Sequence, residues 1–194
     1  MNFLAHFHLS GDDEEIAIGN FIGDFVRGSN LDELPQNVLN GIQLHRFIDE
    51  FTDKHPVVKS VNEMLQPYFS KYAPVVSDIY FDYFLASNFN DYSVVSLRDY
   101  THGVYDLLER QKHILPDRAR NFYHFLLERD IFFEYGNKGG MRHVFNGISS
   151  RARFKSNMEE GVPVLIKHEA ELLPLFQEFY PSLQKASQDF IEQL

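Results

Sequence analysis

Apolar residues recur along this chain at three- and four-residue intervals, the spacing that gathers them on one face of a helix. Ser10-Gly-Asp-Asp13 has the spacing of a capping box, and Ile18, Phe21, Ile22, Phe25 and Val26 follow it at helical intervals, with Gly28 as the stop. Pro35 suits the first turn of a second helix that runs until His55-Pro56 interrupts it. A third spans about 57–69, and Pro74 opens a fourth that reaches Ala86 or Asn88. Further helices are predicted at about 97–113, 117–134, 140–150, 162–179 and 182–193. The best strand candidate, YSVVSL at 92–97, is isolated and would have no partner. No repeat, linker or low-complexity tract divides the chain, so residues 1–194 read as one all-α domain, an irregular helical bundle.

Composition narrows the chemistry. Hydrophobic residues make up 44% and aromatics 15%, with 19 Phe, 10 Tyr and no Trp, enough for a substantial core. The absence of cysteine excludes disulfides, thiolate metal sites and a cysteine nucleophile. Residues 1–10 lack a basic stretch followed by a long apolar one, and charges interrupt the apolar positions elsewhere, so a cytoplasmic protein without membrane spans is expected. A net charge of −10 disfavours nucleic acid, whose phosphates are held by clustered Lys and Arg. Residues 135–158 depart from that balance: they contain no acid but carry Lys138, Arg142, Arg151, Arg153 and Lys155, a basic patch able to recruit an anionic partner.

Polar residues break three apolar helices in an informative way. His45, Asp49 and Asp53 continue the ridge begun by Val38 and Ile42, so a core-facing stripe turns polar midway. A His and a carboxylate on an inward face need a partner: a divalent cation is one solution, and a His⁺/Asp pair or a satisfied core histidine are the alternatives. Asp78 and Asp82 stand one turn apart on a strongly apolar helix, where two carboxylates repel unless a cation or proton lies between them. Asn20 and Asp24 share a face of the first helix beside Arg27. Gly19 and Gly23 there cost about 1 kcal/mol each relative to Ala, which a close approach by another backbone or a ligand would explain. His6 and His8 sit in an apolar N-terminal run, His6 being the better candidate ligand. No P-loop, GxGxxG, GxSxG, HExxH, EF-hand or paired ExxH pattern is present.

Taken in order, MNFLAHFHLS at 1–10, GNFIGDFVRG at 19–28, GIQLHRFIDEFTD at 41–53, the Asp78/Asp82 helix and FNGISSR at 145–151 resemble acyl carrier protein phosphodiesterase, a divergent branch of the all-helical HD-type phosphohydrolases. The resemblance implies a manganese-dependent hydrolase (magnesium or another divalent ion would also suit the donors). It would release 4′-phosphopantetheine from the serine of holo acyl carrier protein. Typical HD enzymes carry an adjacent His-Asp pair, which this chain lacks, so His45 and Asp49 would substitute for it. On that basis Asp24, His45, Asp49 and Asp82 are the expected ligands, with His6 as a fifth. Asp78 would orient water or take its proton, and Arg27 and Arg46 would hold phosphoryl oxygens. Arg142, Arg151, Arg153 and Lys155 would dock the acidic carrier protein. The rival readings are a hydrolase of a nucleotide or other small phosphoester, and a helical binding module without activity.

Overall fold

The computed structural model describes residues 1–26, 31 and 33–194, and contains no strand among them. Its helices are α1 (Phe3–His8), α2 (Glu14–Ile22), α3 (Gln36–Lys54), α4 (Pro56–Phe69), α5 (Ala73–Ser87), α6 (Leu97–Arg110), α7 (Asp117–Glu128), α8 (Ile131–Glu134), α9 (Lys138–Ser149) and α10 (Gly161–Ile191). The all-helical expectation holds, and so do the helices opened by Pro35 and Pro74. None of these helices is long and apolar enough to cross a membrane.

Several boundaries differ for identifiable reasons. Asp13, not Ser10, caps α2, its side chain accepting from the backbone N–H of Glu15 and Ile16. Ser10 is buried instead and donates to the His6 carbonyl. The predicted helix over 117–134 is broken at Asp130, which adopts a left-handed φ of 46° and holds Arg98 at 2.7 Å. The two C-terminal helices are one: α10 continues through Pro174 and Pro181. A buried stripe of Leu172, Phe176, Phe179, Tyr180 and Leu183 runs the length of that region, and packing of this area outweighs the roughly 3 kcal/mol that an interior proline costs. The first five residues of YSVVSL form a loop with Val94 fully exposed, and Ser96 caps α6, which Leu97 opens, by accepting from Asp99 N–H. Gly28 lies outside the described residues.

The core is aromatic, as the missing Trp requires. Tyr80, Phe81 and Phe84 of α5 and Phe176, Phe179 and Tyr180 of α10 are all almost fully buried, and Tyr80 anchors the α10 start by donating to the Gly161 carbonyl at 2.6 Å. α2 and α3 cross in backbone contact. A Cβ placed on Gly19 would lie 2.8 Å from Gly41 Cα, and one on Gly41 would lie 2.8 Å from Gly19 Cα. That crossing delivers the end of α2 to the middle of α3, where His45 sits.

Candidate metal centre

Three elements converge on His45. α3 supplies His45 and Asp49, one turn apart on the same ridge, and Val38 and Ile42 bury the ridge behind them. α1 supplies His6, whose ring stacks on that of His45 with centroids 4.3 Å apart. The turn after α2 supplies Asp24. His6 Nε2 lies 3.3 Å from Asp49 Oδ1, His45 Nε2 lies 3.3 Å from Asp49 Oδ2, and Asp24 Oδ1 lies 3.6 Å from the same His45 nitrogen. One donor atom each from His6, His45 and Asp49 fall within 4.8 Å of one another, a grouping able to hold a metal ion. Both imidazoles are buried, whereas Asp24 and Asp49 open to solvent with side chains 48% and 41% exposed, so the centre has a dry floor and an open top.

The hydrogen bonds around His6 fix its chemistry. Asn20 is fully buried, and its amide nitrogen donates to the His6 carbonyl at 2.8 Å and to Ser10 Oγ at 2.9 Å. Its carbonyl oxygen therefore faces His6 Nδ1, at 2.7 Å, and must accept a proton from it. Burial lowers the pKa of His6, so the ring stays neutral and Nε2 presents a lone pair. That lone pair points at a carboxylate oxygen 3.3 Å away, a pairing that a shared cation would relieve. An imidazole oriented through its other nitrogen is the arrangement that metal-binding histidines adopt.

His45 is held differently. Burial opposes its charge, but hydrogen bonds to Asp24 and Asp49 win and raise its pKa to about 9. Burial would raise Asp49, yet its hydrogen bond to His45 brings it well below the usual carboxylate range. Asp24 is lowered chiefly by its hydrogen bond to His45. Gly23 makes room for the ring: a Cβ there would stand 2.6 Å from His45 Cδ2 and 2.7 Å from its Cβ. One of the two sequence glycines thus serves the helix crossing and the other serves the histidine.

A sequence model of the acyl carrier protein phosphodiesterase family matches residues 1–183. The chain belongs to that family. It is 28% identical over 190 residues to the acyl carrier protein phosphodiesterase of Photorhabdus laumondii, covering 97% of this chain and 96% of the relative. It is 32% identical over 187 residues to that of Escherichia coli O157:H7, covering 94% and 95%. No solved structure matches it.

Within this phosphodiesterase family member, the structure departs from the expected ligand set at Asp82. That side chain is fully buried on α5, and its two oxygens accept from the backbone N–H of Leu4 at 2.9 Å and of Ala5 at 3.2 Å. It caps the start of α1 and is not among the converging donors. The physical reason is that free N–H groups at a helix start give a buried carboxyl group hydrogen-bond partners without a cation. Asp78 lies 3.3 Å from the Met1 nitrogen, which stands 4.0 Å from Asp49 Oδ1. Arg46 is exposed on α3 next to His45, and Arg27 lies outside the described residues. Arg142, Arg151, Arg153 and Lys155 are exposed, whereas Lys138 is paired with Glu169 at 2.7 Å. His8, the other N-terminal histidine, contacts Tyr180 OH at 2.7 Å, away from the centre. Asn20 was recognisable as sharing a face with Asp24, but its grip on His6 spans two elements and no local signal gives it.

Proposed function

We propose that this protein is a divalent-metal phosphodiesterase of the cytoplasm that releases 4′-phosphopantetheine from holo acyl carrier protein, with His6, His45 and Asp49 holding the ion and Asp24 beside them. The observation that carries the metal is the His6 Nε2 lone pair aimed at Asp49 from 3.3 Å, with the tautomer locked by Asn20. The substrate reading rests on family membership across residues 1–183. Two imidazoles with hard carboxylate oxygens suit manganese, and the kinship to HD-type hydrolases is part of the same reading.

A divalent cation at this centre supplies Lewis acidity, neutralising the phosphoryl charge and lowering the pKa of water. The chain's own residues do the rest. Asp24 is exposed and adjacent to the cluster, so it is the carboxylate placed to accept a proton from attacking water. Asp82 acts at one remove, fixing the start of α1 so that His6 falls opposite Asp49. Asp78 anchors the Met1 end of the same segment. Arg46, at the solvent side of α3, is suited to the phosphoryl oxygens, and the exposed Arg142, Arg151, Arg153 and Lys155 to the acidic face of the carrier.

The test is direct. Holo acyl carrier protein incubated with the enzyme and Mn²⁺ should lose the mass of phosphopantetheine, and chelator should stop the loss. A carrier protein of unchanged mass, with a small phosphodiester cleaved instead, would replace this reading with the small-substrate one.

A further inference from the structure

The segment that brings His6 to the metal centre has a second use. Asn2 and Phe3, which open α1, line a cavity of about 160 Å³ whose other walls include Phe122 and Phe125 of α7, Ile148 of α9 and Arg151. Phe25, the chain neighbour of Asp24, packs on Phe3 with centroids 6.1 Å apart and on Phe122 at 5.6 Å, so this apolar wall is continuous with the Asp24 side of the centre. Asn2 and His6 are four residues apart, which along α1 is about 6 Å. Several polar atoms on the walls are already engaged. Asn2 donates to Tyr135 OH at 2.9 Å and accepts from Phe3 N–H at 2.9 Å, and Arg151 Nε donates to the Gly147 carbonyl at 3.0 Å.

We propose that this cavity receives the hydrocarbon chain of an acylated phosphopantetheine arm, an inference that rests on the carrier-protein reading above. The arm itself is studded with amides and a hydroxyl. Each would lose its hydrogen bonds against these walls at a cost of about 1–3 kcal/mol. An acyl chain is the one part of such a substrate with no polar group to satisfy. Size sets its length: an engineered cavity of about 150 Å³ lined by aliphatic and aromatic residues takes benzene, so this one holds about six carbons. Position agrees as well. Arg151 links the cavity to the basic segment, so the arm of a carrier docked there can fold back to lay its cargo against these walls.

The experiment compares kcat/KM for holo, hexanoyl and octanoyl carrier protein in the wild type and in two variants of half-buried Ile148. One methylene in an apolar site is worth up to about fourfold, so burial of even two methylenes of a hexanoyl chain predicts a preference of about tenfold or more over holo. Ile148→Trp fills the cavity and brings that ratio to about one. Ile148→Ala enlarges it and moves the preferred length from hexanoyl towards octanoyl. A wild-type ratio of one, a ratio unmoved by either variant, or equal slowing of holo and acylated carriers would each overturn the cavity assignment while leaving the carrier-protein reading intact. Failure to cleave any carrier would remove the functional reading and this inference together.

Discussion

Replacing Gly23 by Ala isolates the role of His45 geometry from that of folding. Gly23 has φ −48° and ψ −39°, a helical conformation that alanine adopts freely, so the substitution brings no backbone strain. What it brings is a methyl group 2.6–2.7 Å from His45 Cδ2 and Cβ, where carbon contacts normally settle at about 3.5–4.0 Å. The imidazole must retreat by about 1 Å, and its freedom is limited by the His6 ring stacked on it at 4.3 Å. The stability terms nearly cancel. Overpacking costs about 1–3 kcal/mol. Lost flexibility of the unfolded chain returns about 0.4–1 kcal/mol. For a chain of this size, a net loss near 1 kcal/mol lowers Tm by only about 2–4 °C. The site is far less tolerant: a misoriented metal ligand typically loses about 10–100-fold in affinity, and a 1 Å error can cost about 100-fold in rate. Calorimetric titration of the metal-free variant with Mn²⁺, read beside its melting curve and its turnover of carrier protein, gives all three quantities. A Gly23→Ala protein that binds Mn²⁺ with the wild-type Kd would refute the assignment of His45 as a ligand.

Other substitutions separate the remaining parts. Asn20→Ala frees the His6 tautomer and should weaken Mn²⁺ binding by about 10–100-fold, measured by the same titration, more than it lowers Tm. Gly41→Ala forces a methyl group into the α2–α3 backbone crossing, where no side chain can yield. It should destabilise by about 3 kcal/mol or more in a denaturant melt, whether or not metal is present. Asp82 has its pKa raised to about 7, chiefly by burial and despite its backbone hydrogen bonds. Between pH 4 and 7 the native state therefore holds a proton that the unfolded chain has released, and stability falls as pH rises through that window. Three pKa units correspond to about 4 kcal/mol as an upper bound. Asp82→Asn cannot ionise, so the drop in Tm from pH 5 to pH 8 should shrink; an unchanged drop would mean that Asp82 is not the titrating group.

Local periodicity carried most of the helices and half of the centre. His45 and Asp49 were legible because an i, i+4 pair on a helix meets whatever the rest of the chain does, and their position in line with Val38 and Ile42 marked them as inward-facing. The cost of Gly19 and Gly23 in a helix was equally visible, although not what each glycine admits: a backbone at one, an imidazole at the other. The break expected around Pro181 did not occur, because a long apolar stripe against the core kept α10 whole.

The rest was decided between elements. The buried carboxylate of Asp82 demanded a partner, and sequence alone does not distinguish a cation from the free N–H groups at the start of a helix 77 and 78 residues away along the chain. Those donors come from α1, as does His6, and its lone pair is directed by Asn20 from a third helix. Hydrophobic pattern determines which face of each helix turns inward. Only the packing of α1 against α2, α3 and α5 fixes which polar groups on those faces meet, because that pairing depends on interhelical distances and angles that no single segment encodes.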